Sequence, residues 1–226
     1  MAPTTVVPLF QIAAPKKYDL IYLDCPWSYF GDPNKMGAAG KHYSLMSQKD
    51  ICSMDLKSIL NKNAMVLVWA TGPRLHYAID AIRAWGLHYR GVAFVWVKTR
   101  QDKTIINGQG VPPTFTKPTS ELVLCATTCK NGRPLKLQKF NTPQIILAPR
   151  KGHSTKPEEV RQQIDLTLGS GISRLEIFAR TLVPQWDVIG NAVCNEDVSV
   201  SISKLNGSIP CFSPLPLSGD PESTGQ

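Results

Sequence analysis

Asp24-Cys25-Pro26-Trp27 places a carboxylate, a pre-proline carbonyl and an indole directly after the apolar run from Tyr18 to Leu23. The residue before a proline is driven into extended backbone geometry, so the Cys25 carbonyl is held in a restricted direction just past a strand end. Two acceptors and a stacking face suit an exocyclic purine amine. Its lone pair is delocalised into the ring, and acceptors that pull on both of its hydrogens favour a pyramidal, reactive nitrogen. The chemistry this set fits is methylation at the N6 of adenine. The plainer reading is a strand-to-loop turn with an aromatic tucked into the core.

Four residues that do chemistry need elements to hold them. Apolar runs place strands at residues 20–23, 65–69, 93–97, 122–126, 144–147, 175–178 and 188–189, and helical spacing predicts helices over 47–60, 75–84 and 156–168. Ser47 and Asp50 have capping-box spacing, Pro73 lies at a helix start, and Pro157 with Glu158 and Glu159 makes an N-terminal turn that complements the helix dipole. Strand-then-helix order argues for an α/β fold with a mostly parallel sheet flanked by helices. Such sheets bind ligands beyond the carboxyl ends of their strands, where Asp24 would lie.

The tetrapeptide resembles the Asp-Pro-Pro-Trp motif of the N6-adenine methyltransferases with permuted motif order, the family of the messenger-RNA adenosine methyltransferases and of many phage and bacterial DNA adenine methyltransferases. Other segments match in the family's order. His42-Tyr43-Ser44-Leu45-Met46 is similar to its His-Tyr-x-x-Met, and Phe94-Val95-Trp96-Val97-Lys98 to its Trp-x-Lys strand end. His153 to Glu158 resembles His-x-x-Lys-Pro-x-Glu, Arg174 to Arg180 resembles Lys/Arg-Leu-Glu-Leu-Phe-Gly/Ala-Arg, and Gly190-Asn191 matches the closing Gly-Asn. The resemblance covers about residues 18–192. It implies a Rossmann-like sheet that binds S-adenosylmethionine and a catalytic set of Asp24, Cys25, Pro26 and Trp27.

One position departs from the motif: Cys25 replaces its first proline. The role of that residue is expected to fall to a backbone carbonyl, which cysteine also has. Cytosine C5 methyltransferases use a cysteine nucleophile, but there the proline precedes the cysteine and here it follows. The resemblance further implies that Lys156 pairs with the methionine carboxylate of the donor and that Asp24 faces its amino group. It puts Glu176, Arg180 and Asn191 around the donor nucleoside. The family's histidine and asparagine after the arginine are absent from Arg180-Thr181-Leu182-Val183-Pro184-Gln185-Trp186.

For the target base the aromatic candidates are Trp27 and Tyr43, with His42 beside them, since a modified base has to leave the stack and enter a slot with π surfaces. The formal net charge is +8. Lys98, Arg100 and Lys103 follow one strand, Lys130, Arg133, Lys136 and Lys139 form a second group, and Arg150 and Lys151 a third. Glycines and prolines interrupt the first two, as in loops that could follow a phosphate backbone or simply be solvated turns. The expected partner is double-stranded DNA, with RNA as the alternative. The pattern around Gly37 to Tyr43 looks more like the phage and bacterial DNA enzymes, and the chain has neither zinc-finger spacing nor a long basic extension. A non-catalytic nucleic-acid-binding subunit on the same fold is the reading from another class.

Composition sets the remaining bounds. The 226 residues, 42% of them hydrophobic, suit one α/β domain. A catalytic domain is expected over residues 1–198. A loosely attached tail over 199–226 is expected from its Ser, Pro and Gly content. No apolar run approaches the roughly 18 residues needed to cross a bilayer, and the amino terminus lacks the pattern of a secretory signal. The six cysteines are scattered without Cys-x-x-Cys spacing, which argues against a zinc site or disulfide framework and fits a reducing cytoplasm, that of a bacterial host if the chain is phage-encoded.

Overall fold

The computed structural model describes residues 15–27, 45–108, 115–152, 155–194 and 197–207. The seven strands in chain order are β1 (Tyr18–Leu23), β2 (Leu60–Ala70), β3 (His88–Thr99), β4 (Ser120–Thr127), β5 (Ile145–Pro149), β6 (Arg174–Ile177) and β7 (Asp187–Ile189). The helices are α1 (Gln48–Cys52), α2 (Leu75–Ala84), α3 (Glu158–Leu168), α4 (Asn191–Cys194) and α5 (Val198–Leu205), with short 3₁₀ turns at Leu56–Ile59 and Gly72–Arg74.

The strands form one sheet in the order β5-β3-β4-β2-β1-β6-β7. Only β4 runs against its neighbours, antiparallel to both β2 and β3, while β1 pairs in parallel with β2 and β6, β5 with β3, and β6 with β7. A parallel neighbour needs a crossover, usually through a helix. No helix lies among the described residues between β3 and β4, so the chain turns straight back and the sheet is mixed.

Every strand expected from the sequence is present, and β2 and β3 run well beyond their apolar centres. The expected helix over 47–60 is broken. Ser47 caps α1 by accepting the Asp50 N–H at 3.1 Å, but Ser53 Oγ bonds the Asp50 carbonyl and Asp55 accepts the Ser58 N–H. These short polar side chains offer the backbone partners outside an α-helix, and the segment re-forms as a 3₁₀ turn before β2.

Alternation along β1, offset once by the irregularity between Tyr18 and Leu20, sorts the core into two layers. Tyr18, Ile21 and Leu23 pack with Ala78, Ala81 and Ile82 of α2 and with Val198, Ile202 and Leu205 of α5. Leu20 and Tyr22 face Trp69, Trp96 and the α3 residues Val160, Ile164 and Leu168. With both faces covered, β1 is a continuous apolar run, as strands inside parallel sheets are.

The segment expected to be loosely attached from Ser199 onward begins instead with a docked helix. Val198, Ile202 and Leu205 recur at helical spacing and are buried, Lys16 N–H donates to the Leu205 carbonyl at 2.8 Å, and Asn206 Nδ2 reaches Ser58 Oγ at 3.0 Å. Three apolar residues on one face suffice to dock a short helix in otherwise polar sequence. The rest of that tail lies outside the described residues. Among the described residues no helix is long and apolar enough to cross a membrane, and no cluster of histidine, cysteine or carboxylate side chains could hold a metal ion.

Candidate active site

Strand order reverses at β1, with β2 on one side and β6 on the other, so the crevice beyond their carboxyl ends is the topological switch point of the sheet. Asp24 follows the last residue of β1 there. Alternation continues the Leu20 and Tyr22 row, which turns Asp24 toward the α3 layer. Lys156, two residues before α3, meets it with Nζ 2.9 Å from Asp24 Oδ1.

The pair belongs to a longer chain of charge. Lys156 also lies 3.3 Å from Glu121 Oε2, and Glu121 Oε1 lies 2.6 Å from Lys98 Nζ. Carboxylate and ammonium alternate from Asp24 through Lys156 and Glu121 to Lys98. Trp69 and Trp96 floor the row: Lys156 Nζ is 5.4 Å from the Trp69 ring centroid and Lys98 Nζ 5.2 Å from that of Trp96. Trp96 is itself fixed by its Nε1–H, which donates to the Ala148 carbonyl at 2.9 Å.

Burial sets the protonation of this row. Desolvation raises the Asp24 carboxyl above its ordinary range, and Lys156 opposes that rise. Burial works against a charged Lys156, but Asp24 and Glu121 outweigh it and hold the ammonium above its ordinary range. Glu121 is also desolvated, yet Lys156 and Lys98 pull it below the usual carboxylate range. The lysine thus stays charged between two carboxylates.

Across the crevice, Glu176 lies beside Tyr22 in the β1–β6 register and meets Arg161 of α3, with Nη2 2.8 Å from Oε2. Arg161 also pairs with Glu158 in the first turn of the same helix. Burial pushes the Glu176 carboxyl up to about 7 against the opposing pull of Arg161. The turn after β6 is tightly built. Phe178 has φ 65°, a left-handed conformation that costs a non-glycine residue energy and is found where function constrains the backbone. Ala179 N–H donates to the Ile189 carbonyl at 3.0 Å. A Cβ on Gly190 would stand 2.5 Å from the Ala179 carbonyl oxygen and 2.8 Å from its nitrogen, so only glycine admits this approach.

The family profile of MT-A70 matches residues 18–192. The chain belongs to the MT-A70 family. It is similar to the Type II methyltransferase M.MunI of Mycoplasma sp, with 28% identity over 203 residues, covering 82% of each chain. It is also similar to the N(6)-adenine-specific methyltransferases METTL4 of Homo sapiens, 25% identical over 211 residues, and of Mus musculus, 26% identical over 187. Those alignments cover 85% and 79% of this chain but 41% and 38% of the relatives. The MT-A70 chain is a methyltransferase with a Rossmann-like sheet, and its family uses S-adenosylmethionine.

The structure brings some of the expected site residues together. Asp24, Lys156 and Glu176 border one crevice, and Arg180, exposed on the turn after β6, is close enough to act on the Asp24 charge. Asn191 opens α4 directly after the Gly190 approach. The Cys25 carbonyl accepts Trp27 N–H at 2.9 Å, and Pro26 passes its own carbonyl to Met46 N–H at 2.9 Å. Cys25 therefore keeps one carbonyl lone pair for a further donor. Burial raises its thiol well above the ordinary range, so it is no ready nucleophile.

Others stand elsewhere. Trp27 is 4% exposed and packs edge-on against Tyr77 with ring centroids 6.2 Å apart, so its indole is a core element rather than an open stacking face. Lys98, grouped in sequence with Arg100 and Lys103, turns inward to Glu121, while those two remain exposed at the turn beyond β3. His42 and Tyr43 lie outside the described residues. Glu121 was not legible as a site residue because nothing in the run from Ser120 to Ala126 marks it apart from other strand-start acids; a carboxylate opening an otherwise apolar strand was the available signal.

The donor set fits S-adenosylmethionine. Its amino-acid end carries one anion and one cation, and the buried pair of Lys156 and Asp24 offers the complement of each. A ribose diol would need an acceptor, and Glu176 is the carboxylate placed to serve as one.

Proposed function

We propose that the protein transfers a methyl group from S-adenosylmethionine to the N6 amino group of adenine in DNA, at a specific site. The observation that carries this reading is the Asp24–Lys156 pair at the end of β1, beside a Cys25 carbonyl that retains an acceptor site. The similarity to the Type II methyltransferase M.MunI over 82% of both chains supports DNA as the substrate class.

S-adenosylmethionine, when bound, supplies an electrophilic methyl on a sulfonium sulfur. Lys156, Asp24, Glu176, Arg180 and Asn191 are the residues that would hold it. Toward the base, the Asp24 carboxylate accepts one N6 hydrogen and the Cys25 carbonyl the other, which concentrates the nitrogen lone pair. Burial makes Asp24 a strong acceptor, and Lys156 opposes its uptake of a proton. As N6 gains the methyl it becomes cationic and acidic; the Asp24 carboxylate stabilises that charge, and the N6 proton is then lost to solvent.

The deciding experiment is transfer of labelled methyl to duplex DNA, single-stranded DNA and RNA of mixed sequence, followed by nucleoside analysis. N6-methyladenine in duplex DNA is the expected product. Labelling confined to RNA would replace DNA as the substrate, and donor binding without transfer to any of the three would replace the enzyme by a non-catalytic nucleic-acid-binding subunit.

A further inference from the structure

The basic groups that look like one population in sequence are separated by the fold. Arg100 and Lys103 follow the carboxyl end of β3, and Arg150 and Lys151 follow that of β5, so all four lie at the Asp24 end of the sheet. Lys130, Arg133 and Lys136 lie on the connection that leaves β4 at the opposite end, beside Arg90 at the start of β3. The residues from 128 to 144 and from 85 to 99 contain no acid, and all of Lys130, Arg133 and Lys136 are exposed. Among the described residues no carboxylate pairs with these three cations.

This far cluster is built rather than loose. Arg90 donates from Nη1 to the Lys130 carbonyl at 2.7 Å and from Nη2 to the Gly132 carbonyl at 2.9 Å, a fork that fixes the turn. Gln138 N–H donates to the Thr167 carbonyl at 2.8 Å, tying the connection to the last turn of α3, and Gln144 Nε2 donates to the Val92 carbonyl at 2.8 Å. Arg133 lies over the ring of Phe140 with 5.8 Å to the centroid, and Phe140 is 76% exposed. An arginine stacked on an exposed ring, with a second exposed aromatic at Tyr89, is not explained by the core beneath it.

Spacing identifies the partner. Arg90 on β3 and Arg100 just past its end are ten residues apart, which at about 3.3 Å per residue separates them by ~33 Å, slightly less across the two irregularities in the register. One turn of B-form DNA is ~34 Å. A duplex lying along the β3–β5 edge would present the same backbone face to both clusters. We propose that the surface formed by Lys130, Arg133, Lys136 and Phe140 is a second DNA contact, which grips the phosphate backbone about one helical turn from the Arg100 and Lys103 group at the crevice end of the sheet. This rests on the reading of DNA as the substrate. The contact carries no base-reading role: it positions the duplex and adds a salt-dependent share of affinity.

The test combines Lys130→Gln, Arg133→Gln and Lys136→Gln in one full-length variant, since exposed side chains can be neutralised without disturbing the Arg90 fork. Binding to mixed-sequence duplexes is measured against salt for a hairpin-closed 8-bp duplex, ~27 Å long, and for a 24-bp duplex, ~82 Å long. The shorter duplex cannot span both clusters. The expected result is a steeper salt dependence of the wild type on 24 bp than on 8 bp, and a loss of about 2–3 from that slope in the variant on 24 bp alone. An unchanged slope on 24 bp would overturn the proposal, as would an equal loss on both lengths, which would place these cations in the central contact. Nucleoside analysis of mixed-sequence DNA methylated by the wild type runs alongside. N6-methyladenine there with an unchanged slope removes the second contact alone, whereas methylation of RNA only removes the substrate reading and the contact with it.

Discussion

Lys156 Nζ lies 2.9 Å from Asp24 Oδ1, which couples the start of α3 to the end of β1 across the crevice. Asp24→Ala is expected to abolish methyl transfer while leaving the fold intact, because the lysine keeps Glu121 as a partner; measurable turnover in that variant would remove Asp24 from the chemistry. Lys156→Met has a different signature. It leaves Asp24 desolvated without a counter-charge, so the folded state loses about 3 kcal/mol, at the low end for a broken buried pair because the carboxyl can take up a proton. Ionising Asp24 then requires a higher pH. The rising limb of the pH–rate profile is expected to move upward and neutral-pH transfer to fall about 100-fold or more. A lower rate with the limb unmoved would mean that Lys156 does not hold Asp24 ionised.

Glu121→Gln tests the next link in the row. Glutamine keeps the shape but loses the charge that both Lys156 and Lys98 face at 3.3 Å and 2.6 Å. Lys98 then becomes available to solvent or phosphate, and Lys156 draws closer to Asp24 alone. Transfer is expected to drop about 10-fold, with the KM for S-adenosylmethionine changed more than kcat, since Glu121 acts through Lys156. A kcat loss with unchanged donor KM would instead place Glu121 in contact with the reacting base.

Glu176 contributes a pH-dependent term to stability. Its folded-state value of about 7 stands above the ordinary 4.5, so the native state binds more protons than the unfolded chain between those values. Its stabilising contribution is fully present below about 4.5 and is lost as pH rises through about 7, a change on the order of 3 kcal/mol. Chemical denaturation of wild type and Glu176→Gln at pH 5 and pH 8 isolates this term, because every other titrating group is common to both. The wild type is expected to lose stability relative to the variant at pH 8; a constant difference would mean that Arg161 keeps Glu176 ionised throughout.

What the sequence disclosed follows from where the information is local. Leu20 to Leu23 is apolar on both faces and Leu75 to Ala84 has unbroken helical spacing, so β1 and α2 were legible, as were Asp24 and Lys156 from motif order. Glu121 was not, because its importance comes from β4 running antiparallel between β2 and β3, which sets its carboxylate between two lysines distant in the chain. Trp27 stayed ambiguous for the same reason. A tryptophan after a proline carries the same letters whether it faces a ligand or the Tyr77 ring, and only the packing of α2 against the turn decides. In α5, Val198, Ile202 and Leu205 had the right spacing but too few apolar neighbours to stand out.

Gly190→Ala should cost both stability and donor affinity. The added methyl meets backbone at 2.5 Å and 2.8 Å, which cannot rotate away, so the turn joining β6 and β7 has to open. Overpacking of this kind costs about 2 kcal/mol, a fall in Tm of about 4–8 °C for a chain of this size. Gly171→Ala is the control, since nothing lies within 4 Å of a Cβ there. Comparable melting of the two variants would show that the Gly190 approach is not required.

Cys25→Ala separates the two roles open to this position. Burial holds the thiol well above its ordinary range, and Asp24 beside it disfavours a thiolate further, so a nucleophilic sulfur has no support from its surroundings. On the proposed reading the atom offered to the substrate is the carbonyl, which accepts Trp27 N–H at 2.9 Å and is unchanged by losing the side chain. Transfer is therefore expected to stay within about threefold of the wild type, with a stability loss of about 1–2 kcal/mol for the emptied space in the core. Loss of all transfer by a folded variant that still binds S-adenosylmethionine would reverse the assignment and make the sulfur itself part of the reaction. A backbone role predicts the converse pattern, in which any residue that keeps the turn extended before Pro26 supports transfer and the rate follows the geometry of the turn rather than the side chain.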